Sequence, residues 1–87
     1  MTRNEKILKA ILTAIKSGDA KGARWQVIVE AVKEAGIKVT NWMDVRSILQ
    51  FAINEKLIGR RRSTHEERYL IVDRKAFADW CVDLSVD

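Results

Sequence analysis

At Leu57 the hydrophobic pattern changes period, and this switch constrains the fold more than any other feature. Before it, apolar residues recur every three or four positions in three separate stretches, the spacing of amphipathic helices. After it come Leu57-Ile58-Gly59-Arg60-Arg61-Arg62 and Arg68-Tyr69-Leu70-Ile71-Val72, separated by the polar run Ser63-Thr64-His65-Glu66-Glu67. The second stretch is rich in β-branched and aromatic residues, so the pair reads as two short strands of one hairpin. An isolated two-stranded hairpin is marginal in water, so it must lie against the helices.

The first helical stretch runs from Asn4 to Ser17, with Ile7, Leu8, Ile11, Leu12 and Ile15 on one side. Asn4 is placed to cap its start and Gly18 to end it. This apolar stripe is wide, as for a helix that packs on two sides or on a partner. A second helix is predicted over Ala23–Ala35, burying Trp25, Ile28, Val29 and Val32, with Gly36 closing it in the left-handed conformation. After the tight turn Ile37-Lys38-Val39-Thr40, a third helix spans 41–56, capped by Thr40 or Asn41 and burying Val45, Ile48, Leu49, Ala52 and Ile53. Asp44 stands at the capping-box position of that helix. A last helix is expected over Arg74–Leu84, capped by Asp73, with Phe77, Trp80, Cys81 and Leu84 on its apolar face. Trp25 and Trp80 are expected in the core, and Trp42 against the hairpin or the first helix.

Eighty-seven residues suit one domain, 1–87. The hydrophobic fraction of 47% and charged fraction of 32% are those of a soluble globular chain. No apolar run approaches the roughly 20 residues of a membrane helix, so no membrane association is expected. The opening residues enter an amphipathic pattern without the apolar core of a secretory signal. A single cysteine, Cys81, excludes an internal disulfide and fits a reducing cytoplasm. Catalysis and cofactors are not expected. His65 has no second histidine or cysteine near it in sequence to build a zinc site, the glycines form no phosphate loop, and the carboxylates lie scattered among basic neighbours. The net charge of +4 is unevenly spread. Residues 38–62 carry six basic and two acidic side chains, whereas residues 63–87 carry three and six. A surface so polarised attracts phosphate.

The order helix, helix, tight turn, helix, hairpin, helix resembles a winged helix-turn-helix domain. The resemblance is carried by residues 27–62. The helix ends in Ala35-Gly36, a short turn follows, and the next helix runs directly into Asn54-Glu55-Lys56-Leu57-Ile58-Gly59-Arg60-Arg61, where many winged-helix regulators read EGLI.R. It implies a mainly α fold with a small β-hairpin: a three-helix core, a two-stranded wing over 57–72 and a C-terminal helix. It further implies that helix 41–56 enters the major groove of double-stranded DNA while the wing touches the backbone. The likeness is to a superfamily and singles out no particular family.

Winding the third helix at about 100° per residue puts Met43, Ser47, Gln50 and Asn54 opposite the buried stripe, with Arg46 at the edge. Arg46, Ser47 and Gln50 are the candidate base readers, since arginine matches guanine and glutamine matches adenine in bidentate contacts. Asn41 would lie near the backbone. Arg60, Arg61 and Arg62 put charge on both faces of the hairpin, and Arg68 on the opposing strand can join them. Lys21, Arg24 and Lys38 sit where phosphate contacts occur. Asp44, Glu66 and Glu67 oppose this reading, because they would repel phosphate from the helix start and the wing tip. Each basic feature also has an ordinary explanation, as solvated surface or as a charged edge that blocks strand pairing.

Three functions therefore stand open. The first is a DNA-binding transcriptional regulator, expected as a homodimer through helices 4–17 and 74–84. The second is a protein-interaction module using Asp44, Trp42, Phe51 and the acidic wing tip. The third is an RNA or replication-origin binder using the same basic face.

Overall fold

The computed structural model describes residues 2–18, 22–62 and 66–84. Four helices and three strands follow in the order α1 (Arg3–Ser17), β1 (Ala23–Arg24), α2 (Trp25–Glu34), α3 (Trp42–Asn54), β2 (Ile58–Arg62), β3 (Glu67–Ile71) and α4 (Arg74–Asp83). The protein is thus mainly helical with a small antiparallel sheet.

The sheet has three strands, in the order β1-β3-β2. Ala23 and Arg24, expected to open the second helix, instead pair with Tyr69 and Arg68 of β3. Two residues carry no readable period, so this strand was invisible in the sequence. Its benefit is physical: it covers the edge of β3 that a lone hairpin would leave open. The hairpin strands also shift by one residue against expectation, to 58–62 and 67–71.

Helix α1 is the centre of the molecule. Ile7, Leu8, Ala10, Ile11, Leu12, Ala14 and Ile15 are all buried within the chain. It packs on α2, α3 and β3. The wide stripe is therefore satisfied within the chain. Its cap is Thr2, not Asn4: the Thr2 hydroxyl accepts from the Glu5 backbone N–H at 3.2 Å. The cap falls two residues earlier than expected because a threonine with glutamate three residues on is the better cap pair. Asn41 and Asp73 cap α3 and α4 as expected, accepting from Met43 N–H and Ala76 N–H at 3.0 Å.

Helix α3 ends in a Schellman motif. Leu57 N–H donates to the Ala52 carbonyl at 3.1 Å and Lys56 N–H to the Ile53 carbonyl at 3.0 Å. Lys56 sits at φ 61°, the left-handed conformation. This tight stop lets β2 begin at once, so the hairpin stands directly beside α3. Gly36 ends α2 at φ 75°, as its position predicted.

The core joins the inward faces of all four helices to Ala23, Leu57, Ile58 and Tyr69. Trp25 and Trp80, expected inside, are only half-buried at its margin. The large aromatic at the centre is Tyr69, 2% exposed.

Candidate nucleic-acid interface

The sheet register decides where the arginines point. Arg60 lies opposite Tyr69, Arg61 opposite Arg68, and Arg62 opposite Glu67. Alternation along a strand then puts Arg60, Arg62 and Glu67 on the face shared with Ala23, Ile58 and Tyr69, which is the face turned to the helices. Arg61 falls on the opposite face, in one row with Arg68 of β3 and Arg24 of β1. The three consecutive arginines thus divide two to one between the faces.

Tyr69 marks the junction of helix and hairpin. Burial pushes its hydroxyl above the ordinary tyrosine pKa, Glu67 adds to that, and Arg46, Arg60 and Arg62 oppose it. Arg46 of α3 and two arginines of β2 therefore share one electrostatic neighbourhood. From α3, Met43, Ser47, Gln50 and Asn54 are all exposed, as the helical winding predicted. Ser47 donates its hydroxyl to the Met43 carbonyl at 2.9 Å, and the Gln50 amide donates to Asn54 Oδ1 at 2.9 Å.

Arg46 is held differently from the ion-paired arginines nearby. Its guanidinium carbon stands 4.3 Å from the centre of the Trp25 ring. Trp25 meets Trp42 edge-on at 6.4 Å, and the Lys33 ammonium lies 6.0 Å over Trp42. Trp42 thus finds its ring partner in α2 rather than in the hairpin or the first helix. These four side chains form a row across the α2–α3 corner, two edge-on indoles flanked by a cation at each end.

The carboxylates that spoke against phosphate contact are occupied. Asp44 takes Arg3 Nη1 at 3.5 Å, bringing α1 to the start of α3 instead of closing a capping box. Glu67 takes Arg60 Nε at 3.1 Å and Arg62 Nε at 3.9 Å. Its Oε1 is buried and accepts no hydrogen bond, so the contact to Arg60 is an ion pair without hydrogen-bond geometry. Glu66 takes Arg24 Nε at 2.8 Å and Arg68 Nε at 2.7 Å. Neither glutamate is a free charge at a hairpin tip: Glu67 lies within β3, and both glutamates are folded back onto arginines.

The other expected contacts fare unequally. Arg68 is largely buried and donates Nη1 to the Gly22 carbonyl at 3.0 Å. It ties β3 to the chain entering β1, so its first role is structural. Asn41 uses its side chain as a cap. Arg24 is exposed but bridged to Glu66, and Lys38 is exposed, with its carbonyl receiving Arg3 Nη2 at 3.5 Å. Arg61 is exposed with no ion-pair partner among the described residues. Lys21 and His65 lie outside the described residues. Arg3 was missed in the sequence, because nothing local links the chain start to Asp44, forty-one positions later.

Two further features bear on function. Among the described residues, no three His, Cys, Asp or Glu side chains converge as a metal site requires, and no helix is long and apolar enough to cross a membrane. On the side of α3 toward α4, Phe51 is 44% exposed and meets Trp80 at 5.9 Å between ring centres. No protein-family model, curated protein or solved structure matches the chain.

Proposed function

We propose that the chain is a winged-helix domain that binds double-stranded DNA, as a regulator of transcription rather than an enzyme. The element order α1-β1-α2-α3-β2-β3 supports the winged-helix reading, with α3 as recognition helix and β2–β3 as wing. The observation that carries the DNA reading is the strand register, which sets the exposed Arg60 and Arg62 on the helix-facing side of the hairpin, with Arg46 exposed on α3. A helix edge and a hairpin face that share cationic groups can meet a groove and its flanking phosphates together. Ser47 and Gln50 are exposed on the same helix, as side chains that could reach base edges.

The decisive experiment is a titration against random-sequence duplex DNA at two salt concentrations. Wild type should bind with a steep salt dependence, each phosphate contact contributing about 0.9 to the log–log slope. Arg60→Ala/Arg62→Ala should weaken binding and flatten the slope by nearly two such contacts. Arg61→Ala, on the other face of the sheet, should change it less. Salt-insensitive or negligible binding by wild type at low salt would overturn the reading.

One observation favours a second reading, a protein-binding winged helix. Phe51 and Trp80 border a shallow hollow of about 330 Å³ with Leu8 and Ile48 at its floor. Negligible DNA binding together with loss of a partner on Phe51→Ser would move the assignment there.

A further inference from the structure

We infer that Trp25 is a specificity-determining residue, fixing Arg46 as a reader of guanine in the duplex. The inference rests on the DNA-binding reading above and deepens it by naming the base.

Arg61 lies on the far face of the sheet, and the other arginines differ in what they touch. Arg3, Arg24, Arg60, Arg62 and Arg68 each face a carboxylate within 4.0 Å. Their donors are engaged, and any phosphate must displace a glutamate or aspartate. Arg46 has no carboxylate partner among the described residues; its contact is the face of an indole at 4.3 Å. A stacked guanidinium interacts through its plane and keeps its N–H groups at the edge for other acceptors. Those donors form the rigid fork that matches the O6 and N7 acceptors of guanine in the major groove. Lysine lacks that fork and binds as a point charge.

Holding the side chain in advance also lowers the entropy lost on binding. A free arginine side chain loses about 2 kcal/mol of rotamer freedom when it is immobilised. Trp25 restrains it before DNA arrives. Trp25 is itself half-buried at the first position of α2 and braced edge-on by Trp42, so the platform is fixed by the helix pair rather than by a loop. Preorganisation of this kind favours the base that uses the held geometry. Gln50, by contrast, spends one amide donor on Asn54, which leaves Arg46 as the stronger discriminator.

The test selects wild-type binders from a randomised duplex library and then measures affinity for the selected duplex and for its single-guanine replacements. Wild type should prefer guanine at one position per bound domain, by about five- to a hundredfold. Arg46→Lys keeps the charge but lacks the fork, so its guanine preference should fall by a larger factor than its random-duplex affinity. Trp25→Phe, which keeps an aromatic face, should retain most of it, and Trp25→Leu should lose most of it. Thermal melting checks that each variant is folded. Salt-dependent binding by wild type without a guanine preference overturns the inference and leaves the DNA reading intact. An unchanged preference in Arg46→Lys, or in folded Trp25→Leu, overturns it as well. Absence of duplex binding by wild type removes both together.

Discussion

The backbone of Gly22 presses against the carbonyl of Tyr69: a Cβ on Gly22 would stand 2.7 Å from that oxygen. Gly22 also has φ 97°, outside the range that side-chain-bearing residues adopt without strain. Its own carbonyl receives Arg68 Nη1. One residue thus lets the chain enter β1, pass close over β3 and anchor the arginine that ties the sheet together.

Gly22→Ala should therefore be strongly destabilising for an exchange of this size. The conformational penalty alone is about 1–2 kcal/mol, and the backbone contact leaves no flexible side chain to yield. A combined loss of about 2–4 kcal/mol is expected, seen as a melting temperature lowered by roughly 10 °C or more. A variant that melts within a few degrees of wild type would show that β1 is not held in this way.

Lys56 offers the opposite change. It occupies the left-handed position of the α3 Schellman motif, where glycine carries no side-chain penalty. Lys56→Gly relieves strain of about 1 kcal/mol, partly offset by the greater freedom of glycine in the unfolded chain. The expected result is a melting temperature a few degrees higher, with duplex binding unchanged, by calorimetry and titration on the same sample.

How far the sequence disclosed this structure follows from the range of each interaction. Helical stripes and caps are local, so α3, α4 and the left-handed Gly36 were legible from residues a few positions apart. The same held for the exposed set Met43, Ser47, Gln50 and Asn54. Contacts between distant segments were not. Nothing in Ala23-Arg24 announces a strand, because its reason is the open edge of β3. Arg68 looked like one more wing cation, and only the sheet register brings it against the Gly22 carbonyl. The pairing of Arg3 with Asp44 and the stacking of Arg46 on Trp25 are likewise products of packing. The expectation of a homodimer drew on the α1 stripe, whose residues face their own chain, and on α4, where Phe77 and Leu84 are buried and Trp80 is half-buried.

Tyr69 makes stability sensitive to high pH in a defined direction. Burial, with Glu67 adding to it, raises its pKa in the folded state above the ordinary value of 10.0. The folded protein then holds the phenolic proton more tightly than the unfolded chain. Stability from this source is fully present below pH 10 and is lost as pH rises through 10 toward the folded-state value. Tyr69→Phe has no proton to lose. Denaturant unfolding from pH 8 to 11 should show a shallower alkaline decline in the variant than in wild type. Parallel declines would mean that the hydroxyl titrates alike in both states.

Glu67 stands where a phosphate would have to stand. Its carboxylate pairs with Arg60 and Arg62 on the helix-facing side of the sheet, so DNA bound as proposed would either displace it or tolerate its charge. Glu67→Gln keeps the shape and removes the charge. If Arg60 and Arg62 contact the backbone, the variant should bind random duplex several-fold more tightly at low salt, with a steeper salt dependence, because more counterion is then released on binding. The gain should vanish in the Glu67→Gln/Arg60→Ala/Arg62→Ala combination, whose non-additivity measures the coupling directly. Tighter binding that persists in the combined variant would instead indicate a general effect of net charge, unrelated to the two arginines. Unchanged binding by Glu67→Gln alone would place the phosphate contacts elsewhere, with Arg61 on the opposite face the next cation to test.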